Sequence, residues 1–312
     1  MDRAADPAAV RPAAAARGPW WRPARTSPAT LVAGTVLALL VVGAVLAPWL
    51  APHRPYDLAS LDLAQSLRPP IGAPGSDWRH PLGTDEQGRD LLSGLLYGIR
   101  SSLAIALAAV SLAFAAGTAV GLVAARFGGF IDALFMRLGD IQLAFPAVLV
   151  AMLVDGLARV LMPSAAVDGL LAGGVIVLAI AMASWVAYAR VVRAGAAVEL
   201  RKDYVAAARL AGAGDGRILF AHVLPNVIGS ALVLASINLA TAIMIEATLS
   251  FLGVGLPPDT PSLGTMVATG YRFLFSGEWW LVLLPGLALV ALCVSLNVIA
   301  DGLRDSLDPR LR

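Results

Sequence analysis

The chain has 312 residues, of which 58% are hydrophobic and only 14% charged, and its formal net charge is +2. Soluble domains carry about a quarter charged residues, so a globule of this size would lack the polar side chains to cover its surface. A soluble enzyme, a disordered chain and a nucleic-acid binder are excluded, and the composition is that of a protein housed in a membrane. The single cysteine, Cys293, rules out a disulfide within the chain and a cysteine zinc site. His53, His80 and His222 are scattered and lack metal-ligand spacing.

In chain order, residues 1–28 form an Ala-, Pro- and Arg-rich arm without apolar periodicity, expected to be disordered and cytoplasmic. A bilayer core about 30 Å thick requires about 20 apolar residues in helical form, because lipid offers backbone groups no partners. Leu31–Leu50 meets this within a first transmembrane helix at 29–50, and it is too long for the apolar part of a cleaved signal peptide. Residues 51–98 follow as an external loop with many prolines and the acids Asp57, Asp62, Asp77, Asp85, Glu86 and Asp90. A core of five helices is expected over 99–304, with uncharged spans at Ser101–Ala125, Gly169–Ala189, Val227–Ile245 and Leu281–Ala300. The remaining span, Ile141–Met162, is the least clean, since Asp155 and Arg159 interrupt it at a spacing that lets them pair on one helix face. Residues 305–312 form a cytoplasmic tail.

The fold class is therefore an all-α membrane protein with six transmembrane helices. With both ends in the cytoplasm, 16 of the 23 basic residues fall in cytoplasmic segments, the bias that sets membrane orientation. Gly117 and Gly121 form a small-xxx-small pair in the second span, expected to pack within the bundle and, as the alternative, against a partner subunit. Asp140 is expected to stabilise the start of the third span. Glu246, at the outer end of the fifth, suits a substrate-amine contact, a gate, a subunit contact or a structural hydrogen bond.

The segment Arg190–Asn226 is too long for a plain connection between helices. Ala194–Ala211 holds good helix formers, with Val198, Tyr204, Val205, Ala208 and Leu210 available as an apolar face. Gly212, Gly214 and Gly216 break that helix, and Arg217–Leu224 forms a second short one ending before Pro225. Such a loop, at 194–225, suits a groove on another protein or a seat on lipid headgroups. No G-x-x-x-x-G-K-[S/T] nucleotide motif occurs.

The run Ala206–Pro225 (AAARLAGAGDGRILFAHVLP) resembles the coupling loop of permease subunits in ATP-driven ABC importers. Ala207, Ala208, Gly212, Leu224 and Pro225 fall on that loop's positions; Ala206 stands where the family has Glu, and His222 where it has Ile. Three further segments resemble the second permease of the dipeptide, oligopeptide and nickel branch: His80–Asp90 (HPLGTDEQGRD), Glu246–Gly253 (EATLSFLG) and Asp301–Arg310 (DGLRDSLDPR). The resemblance implies the type I ABC importer permease fold and a non-catalytic subunit forming half of a peptide pathway in a bacterial cytoplasmic membrane. It implies Tyr204 and the five matched positions as the ATPase-coupling loop, with Glu246 as a gate or subunit contact. The implied partners are a homologous permease, two ATPase subunits carrying ATP and Mg, and a periplasmic or lipid-anchored substrate-binding protein; this chain itself binds no cofactor. The alternative from the residues alone is a self-sufficient secondary transporter or channel, which calls for paired broken helices and acids deep in the bilayer.

Overall fold

A computed structural model describes residues 27–53, 62–161, 169–257 and 260–307. The expected arm before residue 27, Asp57 and the end of the tail lie outside these residues. The elements are α1 (Pro28–Val45), α2 (Ala47–Leu50), α3 (Leu91–Phe127), α4 (Gly129–Leu143), α5 (Ala147–Leu161), α6 (Gly169–Glu199), α7 (Asp203–Leu210), α8 (Asp215–Arg217), α9 (Leu224–Phe251), α10 (Leu263–Tyr271) and α11 (Trp280–Leu307). A π-turn, Ile218–Val223, joins α8 to α9.

The helices start where side chains satisfy their first N–H groups. The Ser27 hydroxyl accepts from Thr30 N at 3.2 Å, with Pro28 in the first turn of α1. Asp90 accepts from Ser93 N at 2.8 Å to start α3. At 37 residues α3 is about 55 Å long, well beyond the predicted span, because Leu91–Arg100 prolongs the helix through Gly94 and Gly98, both of which are buried. Arg100 itself is exposed, a position at which its charge costs the helix little.

Five helices, one of them the joined Asp215–Phe251 segment, are long and apolar enough to cross a membrane. The predicted third span is not one rod. It falls on α4 and α5, which meet at 97°, so Ile141–Leu143 ends one helix and Ala147–Leu161 forms the next. Pro146 is the cause: it offers no N–H to the ladder and pushes Phe145 away from helical geometry. Neither 15-residue piece reaches across a bilayer alone, each being about 22 Å long. Counted together they make the sixth crossing.

The bundle has two distinct ends. Trp280 Nε1 donates to Thr84 O at 3.4 Å, placing the start of α11 beside the root of α3. Gly302, near the other end of α11, lies beside Thr30 in the first turn of α1. Hence α1 and α11 run antiparallel, and the first described helix begins at the end where the last one finishes. Ile99, Ile105, Ile176, Ile180, Ile243 and Leu292 fill the core between the long helices.

The small-xxx-small pair packs inside the chain. A Cβ at Gly121 would stand 2.6 Å from Ala189 O and 2.9 Å from Val192 Cβ, and Gly117 lies equally close to Trp185 and Tyr188 of α6. Lipid gives helices no hydrophobic reason to associate, so this backbone approach is the adhesive between α3 and α6. Gly121→Val is expected to separate the pair at a cost of about 3 kcal/mol, within the range for overpacking against atoms that cannot move aside. A lower thermal midpoint in detergent checks it, with Gly121→Ala falling between; a midpoint equal to the parent's would refute the packing role.

A candidate coupling elbow and a buried carboxylate

The elbow begins where α6 ends. Glu199 accepts from Lys202 Nζ at 2.6 Å and from the Tyr204 hydroxyl at 2.7 Å, and this pins the turn into α7. Burial, reinforced by the Glu199 carboxylate, pushes the Tyr204 hydroxyl above its ordinary pKa, so it remains a donor at neutral pH. Asn226 Nδ2 donates to His222 O at 2.6 Å and to the Tyr204 hydroxyl at 3.4 Å, tying α7 to the start of α9. Beneath α7, Val205 is fully buried among Leu122, Val192, Ile218, Val223 and Val227, drawn from α3, α6, the π-turn and α9.

At its far end α7 closes in a Schellman motif. Gly212 N donates to Arg209 O and Ala213 N to Ala208 O, each at 3.0 Å, with Gly212 at φ +81°. This left-handed residue turns the chain back toward Asp215, which pairs with Arg126 at the end of α3. Two further arginine–aspartate pairs, Arg190–Asp140 and Arg193–Asp132, bind α6 to α4. The ends of α3, α6 and α9 thus meet around α7, and the ion pairs tie α4 to α6 beside them.

Four expectations are corrected here. The predicted helix over Ala194–Ala211 is divided: α6 continues to Glu199, and α7 covers only Asp203–Leu210. Of its expected apolar face only Val205 is fully buried, whereas Val198 and Leu210 are 61% and 91% exposed. The second short helix does not stop before Pro225; the π-turn runs directly into α9, where Pro225 sits in the first turn. Asp140 lies in the last turn of α4 rather than at a helix start, and its pairing with Arg190 offsets that unfavourable end of the helix dipole. Of the remaining matched positions, Ala207 and Gly212 are exposed, Ala208 and Leu224 half-buried, and Pro225 exposed.

Glu246 lies toward the opposite end of the bundle and is fully buried. Its Oε2 accepts from the Ser102 hydroxyl of α3 and its Oε1 from the Ser250 hydroxyl of α9, both at 2.8 Å. Ser102 Oγ also accepts from Leu263 N at 3.2 Å, so the knot includes the first turn of α10. A capping box between Ser262 and Thr265 starts that helix. Gly264 permits the approach, since a Cβ there would stand 2.6 Å from the Cα and the carbonyl oxygen of Ala247. Near the same end Arg159 pairs with the fully buried Asp155, Nε to Oδ2 at 2.6 Å, as their spacing predicted. Arg159 also donates to Val254 O and Gly255 O, at 3.0 and 2.6 Å, which clamps α5 to the turn after α9.

The expected external loop folds onto its own bundle. Thr84 N donates to Arg68 O at 3.0 Å and Arg68 N donates to the Thr84 hydroxyl at 2.9 Å, while Asp85 Oδ1 accepts from Gln87 N and Arg89 N at 2.8 Å. Burial pushes the Asp85 carboxyl above the usual carboxylate range, against the opposing pull of those N–H groups. Gly88, at φ +75°, lets its backbone press on Asp62 O. Between this loop, α9 and α10 lies a cavity of about 410 Å³ that holds both signs of charge, Asp85 and Glu86 with Arg89 and Arg272.

Long apolar helices whose small residues seal them together, with a braced elbow at one end, define a multi-pass helical membrane protein. Residues 117–312 match the family described as binding-protein-dependent transport system inner membrane component, and the chain belongs to that family. Residues 18–70 match the N-terminal TM domain of oligopeptide transport permease C. The chain is 41% identical to the di/tripeptide transport system permease protein DppC of Pseudomonas aeruginosa, over 88% of this chain and 86% of that one. It is 38% identical to the dipeptide transport system permease protein DppC of Haemophilus influenzae, over 89% and 90% of the two chains. For the protein of that name from Escherichia coli K12 the identity is 37%, over 90% and 89%. The chain is accordingly a permease subunit of a transport system that works with a binding protein, as its motifs implied.

Proposed function

We propose that this chain forms half of the transmembrane pathway of an ATP-driven importer of di- and oligopeptides. The observation that carries this reading is the elbow. Val205 anchors α7 to the ends of α3, α6 and α9, while Leu210 points away from the bundle at 91% exposure and Phe220 at 67%. An apolar projection on a rigid mount suits a groove on a moving partner, because a push on it reaches three helix ends together. Tyr204, Ala207, Ala208, Gly212, Leu224 and Pro225 form the mount and its hinge.

The motor is separate, since the chain has no nucleotide motif; ATP and Mg belong to two ATPase subunits, and this chain needs no cofactor of its own. The elbow, the start of α1 and the finish of α11 face the cytoplasm of a bacterial cell, consistent with the excess of basic residues there. A homologous permease supplies the other half, against the apolar face of α4 and α5 that exposes Leu138, Ile141, Leu149, Leu153 and Val160; lipid covers the remainder. The substrate-binding protein docks at the opposite end, where the cavity with carboxylates and guanidinium groups matches the two charged termini of a short peptide. Peptide cargo rests on the relatives, which carry peptide transport in their names. A self-sufficient transporter would need a second broken helix to pair with α4–α5, and among the described residues that bend is alone.

The test is peptide uptake by the complete complex in proteoliposomes. Leu210→Asp leaves the buried side of α7 intact and is expected to lower uptake and peptide-stimulated ATP hydrolysis at least about tenfold, the effect of roughly 1.4 kcal/mol lost from one apolar anchor. Unchanged uptake, or ion-driven accumulation of peptide by this chain alone, would overturn the proposal.

A further inference from the structure

We propose that His53, His80 and Asp90 form a binding site for a divalent transition-metal ion, zinc above all, at the end of the bundle opposite the elbow. The three are far apart in sequence, but the fold brings one potential ligand atom from each within 4.8 Å of the others. His80 Nδ1 and Asp90 Oδ1 are 3.1 Å apart, close to the ligand–ligand edge of about 3.3 Å in a tetrahedral zinc site with bonds of 2.0–2.1 Å. An ion can therefore displace the proton they share once the His80 ring turns its Nδ1 lone pair from the Asp90 oxygen toward the ion.

His53 supplies the third ligand. Its ring is exposed and stacks on that of His80 with centroids 4.8 Å apart, so it can swing inward by the roughly 1.5 Å that coordination requires. Its backbone is already held in place. His53 N donates to Ser93 Oγ at 3.2 Å, and the Ser93 hydroxyl donates to Asp90 Oδ2 at 2.6 Å. Ser93 N donates to the same carboxylate oxygen at 2.8 Å, so the ligating Asp90 has the outer hydrogen bonds that orient metal ligands.

A fourth position is available on the cavity side. The three residues line a cavity of about 150 Å³ together with Gln65, whose Oε1 is buried without a hydrogen-bond donor among the described residues. A water on the metal would supply that donor. The formal charges of Asp62 and Asp90 are matched in the same cavity by Arg79 and Arg89, so affinity comes from the two imidazoles rather than from a negative field. That ligand set selects zinc, copper or nickel over calcium and magnesium, which need more oxygen ligands. Bound there, the ion would staple the chain just after α2 to the root of α3. This inference stands on the cluster itself and does not depend on the transport reading.

The experiment uses the full chain, free of any histidine tag, in lipid nanodiscs, titrated with ZnCl₂ against a chromogenic chelator and in parallel with CoCl₂. The expected result is a single zinc ion per chain, together with the visible absorption band of four-coordinate cobalt. His53→Ala, at an exposed position that leaves the fold intact, is expected to weaken binding about 10- to 100-fold and to abolish the cobalt band. His80→Gln should act likewise, and His222→Ala should change nothing. Absence of zinc binding, binding only at millimolar concentration, or affinity that His53→Ala leaves unaltered would overturn the site.

Discussion

Replacing Gly212 by valine is expected to cut peptide uptake ten- to a hundredfold while the assembled complex keeps the ATP hydrolysis it shows without peptide. No atom lies within 4 Å of where a Cβ would stand, so the substitution meets no steric neighbour. Its effect is confined to the backbone. Gly212 has φ +81°, and holding a β-branched residue there costs about 1–3 kcal/mol, or roughly a 5- to 150-fold loss of the native elbow. The two hydrogen bonds that close α7 depend on that conformation, so Leu210 would lose its fixed direction although Val205 remained buried. Gly212→Asn tests the cause, because asparagine enters left-handed geometry readily and should retain most uptake. Uptake and hydrolysis measured on the same vesicles decide it. If valine and asparagine behave alike, or valine leaves uptake unchanged, the hinge role fails.

The long helices were legible because uncharged runs of the length a bilayer demands have few other uses. That logic sees average apolarity and is blind to one imino acid, so Pro146 and its 97° bend were hidden inside an acceptable hydropathy window. Pro225 shows the reverse case. Read as a stop, it lies in the first turn of α9 after a π-turn, where backbone context outweighs the residue's usual effect. The spacing of Asp155 and Arg159 was enough to predict their pairing because both lie on one helix. Partners joined only by tertiary folding leave no such signal. Ser102 and Glu246 belong to different helices, and no periodicity places Leu263 N beside them. The same holds for the histidines: His53 and His80 have no shared spacing pattern, yet the turns before α3 stack their rings. The glycines of that loop were readable as a motif, but their purpose, such as the contact of Gly88 with Asp62 O, appears only in the fold.

Glu246→Leu is expected to destabilise the chain by about 2–6 kcal/mol, from two buried serine hydroxyls each losing an acceptor at about 1–3 kcal/mol. The loss should register as a lower thermal midpoint in detergent and reduced yield from the membrane, since the knot ties α3, α9 and α10 together. Glu246→Gln separates the structural role from a transport role. Its amide oxygen still accepts from one serine, and its NH₂ can donate to the other by rotation of that hydroxyl, so most of the stability should return. A carboxylate needed for gating or for a peptide amine would lose its charge in the same variant. Full enclosure, with both oxygens taken up inside the chain, argues for the structural role. Glu246→Gln should therefore keep parental uptake as well as stability. Ser102→Ala combined with Glu246→Leu gives a second check, because the loss of the shared bond is counted once and the pair should cost less than the two single changes added. Stable Glu246→Gln protein that fails to move peptide would reverse the assignment and make the carboxylate part of the pathway.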